Sequence, residues 1–220
     1  MISNIDMKDV TDWASNVPQT AHFTFDGGGN TISNWSTAEG ALLVPKSNYK
    51  INISNLKLVD CSVNTTSDYA ALVIGYADAN TEVNISKIEV TGATITGNDF
   101  TGALLGWNSK NATISGCSVK NSTITGGGST GAYTGHIVAD KSGVVSISDV
   151  VVEGCSITTN DSNKTKAGVV VGTVNSGTAT ITTSSISGNK VNGEDINATI
   201  YGRFVPNDTG KLTIDGTEMK

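Results

Sequence analysis

Aromatic and charged side chains are scarce in this chain. Of its 220 residues only 5% are Phe, Trp or Tyr and 15% are Asp, Glu, Lys or Arg. The large rings that fill wide cores are therefore few, and a core must be built from small aliphatic residues. There is one arginine, Arg203, the lysines stand singly, and the net charge is −6. A nucleic-acid partner, which needs a clustered basic face, is excluded. No apolar run approaches the roughly 20 residues of a membrane-spanning helix, which excludes membrane insertion of that kind. The opening MISNIDMKDV has neither the basic nor the apolar region of a signal peptide. Either the protein is cytoplasmic, or this is the start of a mature or excised segment, with an added Met, from which a signal has been removed. The three cysteines, Cys61, Cys117 and Cys155, are odd in number and lack C-x-x-C spacing, so neither a disulfide framework nor a zinc site is expected. No cofactor is expected either.

What fills the space is Gly (25 residues), Ser, Thr and Asn, together with Val and Ile. Disordered chains combine high net charge with few β-branched residues. This composition instead suits many short strands joined by polar turns.

The order of these residues repeats. Taking Ile114 as position 0, equivalents are Ile53, Ile85, Ile147, Ile181 and Ile214, spaced 29 to 34 residues apart. Position 3 carries Leu56, Ile88, Cys117, Val150 and Ser184, and position 5 carries Leu58, Val90, Val119, Val152 and Ile186. Position 7 is a turn former, Asp60, Gly92, Asn121, Gly154 or Gly188, suited to a left-handed backbone. Position 8 is small (Cys61, Ala93, Ser122, Cys155, Asn189) and position 10 apolar (Val63, Ile95, Ile124, Ile157, Val191). Upstream of each position 0 lies a second block: GALLV, ALVIG, GALLG, GAYTG, GVVVG and ATIYG. Self-similarity at such a period without helical spacing predicts an all-β parallel β-helix, a solenoid of about six coils of about 30 residues. Positions 0, 3, 5, 8 and 10 point inward and stack about 4.8 Å apart. Cys61 and Cys155 then share a slot three coils apart, roughly 14 Å on that spacing and too far for a disulfide. Cys117 falls in another slot, and all three read as buried, inert thiols.

Segments such as GALLGWNSKNATISGCSV (102–119) and GVVVGTVNSGTATITTSSI (168–186) resemble the GLUG motif. That short Gly-aliphatic-aliphatic-Gly repeat occurs in bacterial surface proteins, including non-catalytic regions of immunoglobulin-A-cleaving peptidases. FDGGGNTISNWS (25–36) resembles the first coil of right-handed β-helices of the pectate-lyase type. The resemblance covers roughly residues 23 to 216, with Val44 in place of the second Gly and Thr134 in place of an aliphatic residue. It implies a right-handed solenoid and an extracellular or cell-surface repeat module rather than an activity.

Solenoid ends need covering. Met7, Val10, Trp13, Ala14 and Val17 fall at helical spacing after Asp6, a capping residue, and before Pro18. Residues 6–17 are expected to form a capping helix plugged by Trp13, within an N-terminal cap of residues 1–22, with the β-helix over 23–220. The closing KLTIDGTEMK carries no cap signal, so self-association or a following domain is expected at the last coil.

Polysaccharide lyases on this fold stack carboxylates on one face, but Asp60, Glu89, Asp149 and Glu153 occupy different positions of the repeat. Glu89 falls beside Lys57 of the preceding coil, as a surface ion pair. His22, His136 and Arg203 have no recognisable partners at catalytic spacing, so no catalytic or metal site is expected. Two outward sets remain. After the Gly that ends the upstream block come Tyr76, Trp107 and His136, then Thr173 and Arg203, a row of rings that could contact glycan. The apolar stripe Leu43, Ile74, Leu105 and Val171 just before it instead argues for cover by a loop or another copy. The second set is Thr94/Thr96, Thr123/Thr125 and Ser156/Thr158, a hydroxyl array similar to the ice-binding face of some solenoids, although Thr also simply favours exposed strands. Sequons at Asn34, Asn52, Asn84, Asn111 and Asn121 follow from composition. The expectation is a non-catalytic, secreted or surface module for adhesion to a glycan or host surface. The alternatives are a carbohydrate-active enzyme with unrecognised acids and a structural spacer.

Overall fold

The structure, a computed structural model, describes residues 1–10, 20–44, 48–137, 140–195, 199–205 and 210–220. They form a parallel β-solenoid of about six turns. Its walls are sheets of ten, seven, five and four strands. Position 0 runs in unbroken parallel register from Phe25 through Ile53, Ile85, Ile114, Ile147 and Ile181 to Ile214. Phe25 thus adds a first coil that the Ile pattern did not include. The five isoleucines from Ile53 to Ile181 are at most 1% exposed, and position 10 is buried from Val63 to Val191.

Two sets of left-handed corners shape the coils. The expected one, at position 7, has φ of 53° at Asp60, 68° at Gly92, 49° at Asn121, 65° at Gly154 and 64° at Gly188. The other, at position 2, falls on Asn55 (54°), Lys87 (53°), Gly116 (60°) and Asp149 (55°), of which only Lys87 is not a residue type suited to it. Lys87 holds this geometry at a cost of roughly 1–2 kcal/mol, imposed by strands already in register on either side.

The Ile181 coil departs from the pattern. Ser184, expected inward at position 3, is exposed, because the ladder slips after Ile147 and sets Thr183 opposite Val150. The Asp215 carboxylate of the next coil holds Thr183 by its N–H and its hydroxyl, both at 2.7 Å.

Both glycines of the upstream block are packing requirements. Leu105–Asn108 passes so close to its own coil and the one before that a Cβ on Gly106 would lie 2.5 Å from the Gly75 carbonyl oxygen. A Cβ on Gly168 would lie 2.3 Å from the Val171 carbonyl oxygen.

At the N-terminal end the structure corrects one expectation. Ile5–Asp6 is a strand paired with Ile32–Ser33, and Met7–Val10 is a turn closed by the Val10 N–H on the Met7 carbonyl (2.9 Å). The expected helix therefore does not open at Asp6, whose carboxylate accepts the Lys8 N–H instead. The remainder of the 6–17 segment, with Trp13, lies outside the described residues, among which there is no helix. The last coil also closes part of its own edge. After Asp215–Gly216, Thr217–Glu218 returns antiparallel on Thr213–Ile214, and Glu194–Asp195 does the same on Lys190–Val191. Two hairpins thus lie at the ends of the two largest sheets.

The cysteines are free and buried, as the register requires. Burial raises their thiols, that of Cys117 to about 11.

Candidate functional site

The five-stranded sheet carries the predicted row. Tyr76, Trp107, His136, Thr173 and Arg203 stand opposite one another on successive coils. The apolar stripe before them, Leu43, Ile74, Leu105 and Val171, is at most 4% exposed, covered by the chain's own fold.

A second row, which the sequence analysis did not identify, faces the first. Tyr69 and Phe100 pair in the four-stranded sheet, and the same place in the next two coils falls to Ser129 and Lys166. Each of the four sits two residues before its upstream block, so aligning that position would have revealed the row. The two rows interlock. Tyr69 lies 4.8 Å from Tyr76 and 6.2 Å from Trp107; Phe100 lies 6.5 Å from Trp107 and 5.2 Å from His136. One coil on, the Ser129 and Thr173 hydroxyls bond at 2.7 Å. The shared groove is aromatic at one end and polar at the other.

The rings do not form one flat platform. Tyr76 and Trp107 are half-buried and stack on each other, centroids 4.9 Å apart and planes within 3°. Phe100 is sandwiched between Tyr69 (12°) and His136 (20°). Much of the ring face is used within the cluster. His136, expected as an exposed ring, is only 8% exposed, because Phe100 covers it. Neither of its ring nitrogens has a hydrogen-bond partner among the described residues. Burial pushes its pKa down to about 4, so the imidazole is neutral at pH 7.

Beyond His136 the groove opens into a cleft of about 300 Å³, lined among others by Asp99, Phe100, Lys166, Thr173 and Arg203. Burial raises the Asp99 carboxyl, with the Lys166 charge opposing it. Lys166 is itself paired with Asp161 at 3.2 Å. Arg203 is exposed and has no carboxylate within ion-pair distance among the described residues. The cleft therefore presents donors and acceptors of both signs beside a neutral imidazole, a set that matches groups able both to give and to accept hydrogen bonds.

The hydroxyl array also lies in register on the seven-stranded sheet. Thr94, Thr123 and Ser156 pair in one line and Thr96, Thr125 and Thr158 in the next, flanking the buried Ile95, Ile124 and Ile157. Thr94 and Thr123 are exposed and the other four half-buried. Lys57 and Glu89 form the expected ion pair at 3.3 Å. No group of three His, Cys, Asp or Glu among the described residues is arranged to hold a metal ion.

No family model matches the sequence, and no curated protein matches it. Among solved structures the fold resembles one described as a "putative immunoglobulin A1 protease from Bacteroides ovatus". The two superpose with a TM-score of 0.60 at 16% identity, covering 99% of this chain and 70% of the other. At that identity the likeness is one of fold, and it relates this chain to a bacterial parallel β-solenoid.

Proposed function

We propose that this chain is a non-catalytic, surface-displayed or secreted module that contacts carbohydrate, as one part of a larger adhesive protein. The observation that supports this most is the interlocked pair of rows, in which half-buried Tyr69, Tyr76, Phe100 and Trp107 lead into a polar cleft. Aromatic side chains beside a few convergent polar groups are the usual lining of a small-ligand site. The GLUG-like repeat is in keeping with surface display.

A second reading, an enzyme, draws on the neighbour's description and on one local feature: Ser129, His136 and Asp99 line the same cleft. These are the residue types of a serine hydrolase, yet the one hydrogen bond among them runs from the Ser129 backbone N–H to the Asp99 carboxylate, and none involves the Ser129 hydroxyl with His136. The Ser129 hydroxyl is bonded to Thr173, and a neutral His136 without a partner neither activates nor is oriented.

The test is a glycan panel probed with the wild-type chain, Trp107→Ala and Ser129→Ala. Carbohydrate contact predicts binding that Trp107→Ala abolishes while the melting transition is retained. Silence across the panel, or peptide or glycoside cleavage lost in Ser129→Ala, would overturn it.

A further inference from the structure

One corner of the solenoid keeps a residue type that does not suit it. At position 2, Asn55, Gly116 and Asp149 adopt the left-handed backbone readily, whereas Lys87 holds a φ of 53° without that ease. Strained residues persist where their surroundings use them, so an outlier of this kind points to function. Lys87 is exposed and lines a hollow of about 480 Å³ on the ten-stranded sheet, together with Asn55, Lys57 and Glu89. We infer that this hollow binds a sugar unit bearing one singly charged acid group, a carboxylate or a sulfate ester, which Lys87 holds. The inference rests on the carbohydrate-contact reading for the sugar and adds a second site, on a different sheet from the aromatic groove.

Three observations select that class. First, the hollow is open because side chains are missing from it. A Cβ on Gly29 would meet nothing within 4 Å, and one on Gly116 only the Lys87 side chain at 3.9 Å. The space falls within the range of ligand pockets. Second, Lys87 is the uncommitted charge. Glu89 pairs with Lys57 at 3.3 Å. The Asp26 carboxylate, close enough to sense the Lys87 charge, accepts the Gly28 N–H (2.8 Å) and the Asn55 side-chain amide (3.0 Å). Lys87 itself has no carboxylate within ion-pair distance among the described residues. One free positive charge matches one negative charge, which disfavours a phosphate ester with close to two at neutral pH. Third, acceptors stand beside the cation. The Glu89 carboxylate and the Asn55 amide oxygen call for donors, which the hydroxyls of a sugar acid supply and a bare inorganic anion lacks.

The amide NMR signals of Gly29 and Gly116 report the hollow, and Gly193, exposed in the hairpin that ends the seven-stranded sheet, is the control. The full chain is titrated with methyl glucoside, its sulfate ester, methyl glucuronide and inorganic sulfate. The two acidic glycosides are expected to shift Gly29 and Gly116 saturably, leave Gly193 unmoved, and bind more weakly as salt rises. Lys87→Asn and Lys87→Gln are each expected to weaken that binding about threefold to tenfold. Lys87→Asn is also expected to raise the melting temperature, because Asn suits the corner. Equal affinity for the uncharged glucoside, or wild-type affinity in both variants, would overturn the acid class. Inorganic sulfate bound as tightly as the glycosides would overturn the sugar. A lower melting temperature for Lys87→Asn would remove the strain and overturn the argument for Lys87. Glycan binding that depends on Trp107 but never moves Gly29 or Gly116 would overturn this site and leave the carbohydrate-contact reading standing. No binding by any probe or panel glycan would overturn both.

Discussion

Position 8 shows at the residue scale how a polar side chain becomes part of an apolar core. Each coil turns a corner there, and backbone groups at the corner are left for the side chain to satisfy. The Ser122 hydroxyl accepts the Ala93 N–H (3.1 Å) and donates to the Lys120 carbonyl (2.8 Å). The Asn189 side chain accepts the Cys155 N–H (2.9 Å) and donates to the Val152 carbonyl (2.8 Å). Cys61 and Cys155 direct their thiols at carbonyls in the same way, and Cys117 accepts the Ile88 N–H at the other corner. Asn189→Leu should therefore cost about 1–3 kcal/mol in denaturant unfolding although it adds apolar surface, because two buried backbone groups lose their partners. A neutral or stabilising result would show that the corner is satisfied by other means. Ile124→Asp should unfold the chain outright, since it sets an unpaired charge between stacked coils. A native-like melting curve for that variant would refute the inward register.

At the scale of elements, the close approach of the four- and five-stranded sheets sets which blocks tolerate a side chain. A Cβ on Gly106 meets a backbone carbonyl at 2.5 Å, whereas one on Gly75 meets the Ala41 Cβ at 3.3 Å. Gly106→Ala should cost about 1–3 kcal/mol as an overpacking change, and Gly75→Ala clearly less. Equal effects on the two melting temperatures would contradict the packing described. The same approach brings the row of Tyr69, Phe100, Ser129 and Lys166 against the row that begins with Tyr76, so the packing glycines also build the groove.

For the whole molecule, His136 and the thiols supply two global readouts. The folded-state pKa of His136 is lowered by burial to about 4, against 6.5 in the unfolded chain. Above pH 6.5 both states are neutral and nothing is lost. Between 6.5 and 4 the unfolded chain binds the extra proton, so stability falls as pH falls, by roughly 1–3 kcal/mol across the window. Unfolding at pH 7.5 and pH 5 should show this loss in the wild type and a smaller one in His136→Phe, with the carboxylates common to both. An identical loss in the two proteins would remove His136 as its source. The thiols report cooperativity. Cys61, Cys117 and Cys155 lie in different coils, all buried, and nearest-neighbour coupling governs solenoids. A thiol reagent should be excluded from the folded chain and label all three together if the solenoid unfolds as a unit. Earlier labelling of Cys155 or Cys61 would show fraying from that end.

The sequence by itself determined the solenoid, its inward positions, the position-7 corners, the alignment of Tyr76, Trp107 and His136, and the Lys57–Glu89 pair. All of these follow from local repetition: once coils stack, equal positions must meet. Tertiary structure alone decided what depends on the fit between different parts of one coil. The position-2 corner appears at Lys87 because neighbouring strands hold it there, against its own preference. The slip at Thr183 follows from Asp215, thirty-two residues away in sequence. His136 is buried because Phe100, aligned with a different position of the repeat, folds over it. The terminal hairpins fold Glu194–Asp195 and Thr217–Glu218 back on strands of their own coils, a pairing outside the repeat. A repeat states which residues share a column; which columns face each other across a groove is set by how sharply each coil turns, and that depends on the packing of all its sides together.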